Sequence, residues 1–452
     1  MKDYYITFRS VTLAQRAERL VSRSGMRCSI GRTPRWMEQQ GCGYALHIRG
    51  EEIGEVVALL KAQQLPLRRV AAAGGRKFGG GGAVIYLDQG ATSYPKPYPV
   101  RRAVAWALTH CANPGRGGYG LAQEGDRQLY RCREEAAALF GCRPEQVVLT
   151  TSCTHGLNIA IASLVSPGAK VAVTGFEHNA VVRPLYARQA QMLVAGRRLF
   201  DWDDTLAEFE KALDAGAEAA VFTLVSNVFG YILPAEQMAA MCRRRGIPFV
   251  VDAAQGAGHL PVDLEALGAE FIAMPGHKGL LGPQGTGLLL CRLGGEPLLY
   301  GGTGGASRLK TMPPELPERL EAGTLNVPGF AGLSQGLALV RRLGPETIFR
   351  REQAQAQACI RGLKAPGMEV FAGPHQAGTV SFRPGMDCEE AARMLAQQGI
   401  AVRAGLHCAP LAHESAGTAD TGTVRLSFGH NAENGQTQAF LRAVSKLPRF
   451  QK

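Results

Sequence analysis

Four short apolar runs, QVVLTT, AKVAVTG, AAVFTLVS and IPFVVDAA, recur through the middle of the chain, with helical stretches such as LYRCREEAAALFG and AEQMAAMCRRRG interspersed. That alternation predicts a mostly parallel sheet wrapped by helices, an α/β architecture. Sheets of this kind take their ligands at the carboxyl ends of their strands. The polar residues that follow each run are therefore the first candidates for chemistry.

At 452 residues the chain exceeds the usual length of one domain. The clearest boundary is GGRKFGGGG, residues 74–82, which has the composition of a flexible linker. Ahead of it, YYITF, CSIGR, YALHI and LRRVAAA read as strands. Between them SVTLAQRAERLVSRSG sets Leu13, Ala17, Leu20 and Val21 on one helical face, with Ser10 as N-cap and Gly25 as stop. EEIGEVVALLKAQQLP repeats the spacing with Ile53, Val56, Val57 and Leu60. The order βαββαβ over residues 1–73 predicts a small ferredoxin-like α/β sandwich.

Charge is uneven: residues 1–82 hold fourteen Lys or Arg against six Asp or Glu, a net of +8 out of +12 for the chain. An arginine-rich small domain usually has a solvated face, and no RNA-binding motif is present, so nucleic acid is not an expected partner. No apolar run approaches the roughly 18 residues of a membrane span, and MKDYYITFRS lacks the apolar core of a signal peptide; a cytoplasmic address without membrane contact is expected. The eleven cysteines are scattered without a C-x-x-C pair, which signals neither a disulfide framework nor a metal site.

The strand ends carry TTSCTHGLN, FEHNAVV, LVSNVFG and VVDAAQGAG, followed by AMPGHKGLLGPQGTG. Asp252 alone could be a helix cap. Lys278 sits in a Gly/Pro-rich loop beside His277, where desolvation would turn a solvated loop charge into an amine nucleophile. Together they suggest a Schiff-base site for pyridoxal 5′-phosphate, which needs a lysine, a carboxylate for the ring nitrogen, a flat group over the ring and a nest of N–H groups for the phosphate. Lys278, Asp252, His178 and the turn Thr154-His155-Gly156 offer these in that order.

VRAGLHCAPLAH, residues 402–413, sets Cys408 beside a histidine and behind Arg403. A buried structural thiol, a metal ligand with His407 and His413, and a nucleophile are all open readings. The flanking glycine and polar residues fit a core strand poorly, and a metal would need more donors at ligand spacing.

Residues 84–445 resemble a cysteine desulfurase or selenocysteine lyase of the class-V aminotransferase family. The resemblance runs through YLDQGATSYPKP, SCTHGLN, EHNAVVRP, SNVFG, VDAAQ, GHKGLLGPQGTG, EAGTLN, VRAGLHCA and VRLSF. It implies PLP fold type I: a large domain over 83–335, with 83–100 packing on a smaller C-terminal domain over 336–452, and a homodimer with its sites at the interface. By the same resemblance, Lys278, Cys408 and His178 are catalytic. Thr154, His155, His178, Asn227, Asp252, Gln255, His277, Lys278 and Thr324 bind the cofactor, Thr324 in the partner subunit's site, and Gly90, Asn227, Arg403 and Arg425 bind substrate. Pro275 stands where relatives often have a hydroxyl donor to the phosphate, which predicts weaker cofactor retention. The implied reaction converts L-cysteine, or L-selenocysteine, to L-alanine, with sulfur kept on Cys408 as a persulfide and passed to an acceptor protein, iron–sulfur cluster assembly being one destination. A C–S lyase without a persulfide and a non-enzymatic carrier are the alternatives. Only a thiolate attacks sulfur, and Arg403 and His407 are the sequence-local groups that could stabilise one.

Residues 3–72 resemble a small family of sulfur or selenium carriers. Cys42, between two glycines, is the candidate to receive the persulfide from Cys408, with Cys28 a lesser one.

Overall fold

The computed structural model describes residues 3–33, 37, 43–49, 53–73, 84–115, 117–363 and 368–448. The linker 74–82 and Cys42 lie outside the described residues.

The first unit has the expected order: Asp3–Phe8, helix Val11–Arg23, Cys28–Arg32, Tyr44–Arg49, helix Ile53–Ala62 and Arg69–Ala73. Its four strands form one antiparallel sheet in the order Cys28–Arg32, Tyr44–Arg49, Asp3–Phe8, Arg69–Ala73, the ferredoxin-like arrangement. Ser10 caps the first helix by accepting from the Leu13 N–H at 3.2 Å, and Gly25 leaves it at φ +82°. Ala14, Ala17, Val21, Val56 and Leu60 bury against Ile6, Phe8, Leu46 and Ile48.

The main sheet has seven strands in the order Val147–Thr150, Gly287–Cys291, Phe271–Pro275, Phe249–Asp252, Ala219–Thr223, Lys170–Thr174, Gln191–Ala195. Every pairing is parallel except the two made by Gly287–Cys291. The strands Phe249–Asp252 and Ala219–Thr223 are buried throughout, as strands covered on both faces must be. Helices Gly120–Phe140 and Ala235–Arg245 cover one face, contributing Leu129, Phe140, Met238 and Cys242 to a core with Phe222 and Val251. Helix Cys153–Leu164 covers the other with Leu157 and Ile161 against Val221 and Val250.

A second antiparallel sheet follows, ordered Glu369–Phe371, Thr379–Arg383, Thr423–Ser427, Arg403–Gly405. Ile400–Ala401 pairs in parallel with Ile85–Tyr86, so the chain just after the linker joins the C-terminal part. This join brings residues 88–97 beside the ends of the main sheet.

Candidate active site

The site grows from adjacent strand ends. Asp252 is the last residue of its strand and lies in register with Ala273 on one side and Thr223 on the other. Lys278 follows the strand ending at Pro275, Asn227 the strand ending at Thr223, and His178 the strand ending at Thr174. Residues 25 to 100 positions apart in sequence thereby converge on one edge of the sheet.

Asp252 is only 2% exposed, and its Oδ1 accepts from the Ala254 N–H at 2.9 Å and from the Cys153 thiol at 3.6 Å. Burial raises the pKa of its carboxyl, and burial drives the Cys153 thiol well above its usual range, so the sulfur keeps its proton and donates. A carboxylate so enclosed calls for a cationic partner. At Lys278 burial depresses the amine, against the opposing pull of Cys153 and Asp252. The lysine is thereby moved toward the neutral, nucleophilic form.

His178 caps helix Asn179–Ala187, its Nδ1 accepting from the Ala180 N–H at 3.0 Å. Burial, then Lys278 and Arg425, lower its pKa to about 4. The ring is neutral near pH 7, with its proton on Nε2. Thr154 and His155 stand in the first turn of helix Cys153–Leu164, where Ser152 Oγ accepts from the His155 N–H at 3.1 Å and the other leading N–H groups are available to an anion.

The loop of Lys278 is tied down through the carbonyl of His277. That oxygen lies within reach of four donors: Ser93 N at 2.9 Å, Thr92 Oγ1 and Ser93 Oγ at 3.1 Å, and Lys96 Nζ at 2.8 Å. Burial holds the Lys96 amine down to about 8 and the His277 ring down to about 4. Pro275 ends its strand in register with Gly287 and supplies no hydroxyl. Gln255 donates to the Gly90 carbonyl at 3.0 Å, and the Gly90 N–H donates to Ser427 Oγ at 2.7 Å.

Arg425 and Arg403 meet because they are register partners on adjacent strands. Asp88 bridges them, accepting from an Arg425 terminal nitrogen at 2.7 Å and lying 3.4 Å from Arg403 Nε. Arg425, 2% exposed, also donates to the Asn227 carbonyl at 2.9 Å, and its Nε has no partner.

Cys408 is exposed on the turn after Arg403–Gly405. Both His407 (φ +48°) and Cys408 (φ +58°) adopt left-handed backbone, a strained pair for residues with a Cβ. Two hydrogen bonds hold it: Asn227 Nδ2 to the His407 carbonyl at 2.8 Å, and the Asn179 N–H to the Cys408 carbonyl at 2.8 Å. The cysteine is thus pinned to the segments that carry Asn227 and His178. The expectation that His407 stabilises a thiolate is corrected. Its ring is buried against Thr423, with Nε2 3.1 Å from Thr423 Oγ1, and burial drives its pKa well below the usual value, so it carries no positive charge. Thr324 lines a different, surface cavity with Asn113, Gly115, Arg133 and Glu321, away from Lys278.

Sequence reasoning assigned no role to Asp88, Lys96, Cys153 or Glu177, although each stands inside a quoted motif. Glu177 is fully buried; one oxygen accepts from Thr174 Oγ1 at 2.5 Å and the Thr223 N–H at 3.1 Å, and the other has no partner.

The class-V aminotransferase profile matches residues 85–440. The chain belongs to the class-V aminotransferase family. A "Putative Se/S carrier protein-like" profile matches residues 3–71. Among curated relatives of this family member, a probable cysteine desulfurase of Methanothermobacter thermautotrophicus is 33% identical over 80% of this chain and 94% of its own. One from Pyrococcus abyssi is 32% identical with the same coverage. The apo structure of a cysteine desulfurase from Thermococcus onnurineus superposes with a TM-score of 0.74 at 31% identity, covering 80% of this chain and 94% of the other. The cysteine desulfurase CsdA of Escherichia coli gives 0.70 at 26%, with the same coverage.

The residues present fit pyridoxal phosphate on their own chemistry. A buried carboxylate with raised pKa, a desolvated lysine, a neutral imidazole and the buried, partnerless Asn227 Oδ1 and His277 Nδ1 are groups waiting for a ligand.

Proposed function

We infer that this protein is a pyridoxal-phosphate-dependent cysteine desulfurase. The observation that carries the reading is Cys408 itself: an exposed thiol on a strained turn, hydrogen-bonded through its backbone to the segments that hold Asn227 and His178. Relatives described as cysteine desulfurases support it.

Bound pyridoxal phosphate would supply a protonated ring that stores the electron pair left at the substrate Cα. Lys278 would hold the cofactor, and its freed amine would take the Cα proton on Nζ. Asp252 would keep the ring nitrogen protonated, and its own raised pKa falls once that cation arrives. The neutral ring of His178 would lie over the cofactor. Gln255 and Asn227 would hydrogen-bond its ring substituents, and the phosphate would rest on His277 and the Thr154-His155 turn.

The substrate carboxylate would displace Asp88 on Arg425, using the open Nε, with Arg403 alongside and Gly90 giving room. Cys408 as thiolate would then attack the substrate sulfur. One S–S bond forms, the substrate C–S bond breaks, and the amino acid leaves as alanine with a proton in place of sulfur. L-Selenocysteine would pass by the same steps.

A homodimer is supported by the exposed Tyr98, Leu108, Tyr119, Tyr130 and Tyr300, and by Thr324 in a cavity apart from Lys278; Thr324 of the partner subunit would complete the phosphate site. The division at residues 74–82, and again between 335 and 336, follows the same reading. No described helix is long and apolar enough to cross a membrane, in keeping with the proposed cytoplasmic address. An acceptor would take the sulfur from Cys408, with Cys42 the first intramolecular one. Cys28 is less suited: it is half-buried against Ser22 Oγ and the Glu18 carbonyl, and burial raises its pKa.

The test is product analysis with cysteine and selenocysteine for the wild type, Cys408→Ala and Cys42→Ala. Loss of sulfur transfer in Cys408→Ala supports the reading. Unchanged sulfur release from cysteine in Cys408→Ala leaves a lyase that makes no persulfide.

A further inference from the structure

Lys278, Gly90 and Gln255 share the lining of a cavity of about 30 Å³ with His259, Glu352 and His430. The last three come from three places: the turn after Phe249–Asp252, the helix Pro345–Leu363 and the segment after Thr423–Ser427. None has a part in the reaction as derived above. His259 Nδ1 lies 2.9 Å from Glu352 Oε2, and Glu352 is 3% exposed. Glu352 Oε1, His430 Nδ1 and His259 Nδ1 are all buried without a hydrogen bond, the His259–Glu352 contact having ion-pair distance but not hydrogen-bond geometry. A cavity of that size holds about one water, and open polar atoms are what such a water needs. At His259 burial pulls the pKa down but the attraction of Glu352 outweighs it and raises it, while burial lowers that of His430.

Of the pair, His259 abuts the lysine loop. A Cβ on Gly279, the residue after Lys278, would lie 2.4 Å from His259 Nε2 and 2.3 Å from the Ala257 carbonyl oxygen. A Cβ on Gly258, at φ +86°, would lie 2.5 Å from the Gly279 carbonyl oxygen. The turn 257–259 and the Lys278–Gly279 backbone are therefore in contact with no room for a side chain between them. The His277 carbonyl is held from the opposite direction by Ser93 and Lys96. Lys278 sits between two anchors, one made by residues 92–96 and one by His259.

We propose that the His259–Glu352 ion pair, completed by a water bound to Glu352 Oε1 and His430 Nδ1, positions Lys278 for proton transfer by fixing the Gly279 side of its loop. Both are positioning residues, acting through Lys278 and touching neither substrate nor cofactor. The inference rests on Lys278 being the cofactor lysine. A reacting amine displaced by about an ångström loses roughly 10²-fold in rate, so a partial loss of the anchor costs roughly tenfold.

The experiment compares wild type, Glu352→Gln, Glu352→Asp and His259→Gln as full-length holoenzyme, and again after cofactor removal. The expected result is a kcat reduced about tenfold in Glu352→Gln and His259→Gln with KM for cysteine within about twofold, and partial rescue in Glu352→Asp. The cofactor-free variants also take up pyridoxal phosphate more slowly, read as the growth of the Lys278-dependent visible band. A lowered melting temperature with unchanged kcat and uptake rate makes the pair a packing feature only and overturns the proposal. If the wild type itself shows no Lys278-dependent band, the cofactor reading fails first and the proposal with it.

Discussion

Glu177 offers a prediction whose sign and size follow from its surroundings. It is fully buried beside His178, and burial raises its carboxyl from 4.5 to about 8 against the three donors it accepts from Thr174 and Thr223. The folded state therefore binds this proton more tightly than the unfolded chain does. Below the unfolded value both states are protonated and the group costs nothing; above it the unfolded chain releases the proton first. Stability then falls as pH rises between 4.5 and about 8. At about 1.4 kcal/mol per pH unit, the loss approaches 5 kcal/mol across that window. Glu177→Gln keeps an oxygen for the same donors and cannot ionise. Melting curves of wild type and Glu177→Gln taken from pH 5 to 8.5 should diverge, the variant gaining with each unit of pH. Asp252, whose pKa burial also raises and whose charge helps push that of Glu177 up, is present in both proteins. A difference that stays constant across the range, or a variant equally weakened at every pH, refutes the reasoning.

Three further substitutions probe the site. Arg425→Lys keeps the charge but loses the fork that holds Asp88 and the Asn227 carbonyl and that is proposed to take the substrate carboxylate, a loss of about 2 kcal/mol that should raise KM for cysteine roughly thirtyfold in steady-state assays. Cys153→Ala removes the thiol donor to Asp252, worth about 1 kcal/mol, and should weaken cofactor binding about fivefold in equilibrium titration. Lys96→Met withdraws one of four donors from the His277 carbonyl and should speed cofactor loss on dilution by about fivefold, without changing the KM for cysteine.

The sheet was legible because its central strands are buried on both faces and so read as unbroken apolar runs; Phe249–Asp252 and Ala219–Thr223 lie where the pattern put them. The edge strand Gln191–Ala195 is partly exposed and lacks that signature. The first unit was legible through helical periodicity and the Ser10 cap. In the site, Lys278, Asp252 and His178 stand at strand ends, where sequence position already implies function. Asp88 and Cys153 were not recovered, since each acts on a partner far away in sequence: Asp88 on Arg425, Cys153 on Asp252. His407 was misjudged because adjacency in sequence to Cys408 does not say which way a ring turns. Here the φ of +48° accompanies a ring buried against Thr423. The pair His259–Glu352 has no sequence signal at all, its members being 93 positions apart on unrelated elements.

The central claim is that Cys408 takes the sulfur. Full-length holoenzyme given one equivalent of L-cysteine without reductant, then quenched and analysed by peptide mass spectrometry, tests it most directly. The account predicts one added sulfur atom on the Cys408 peptide, appearing with alanine in equal amount, and neither in Cys408→Ala. Alanine with elemental sulfur, or pyruvate and ammonia with free sulfide, formed by Cys408→Ala at the wild-type rate would contradict it.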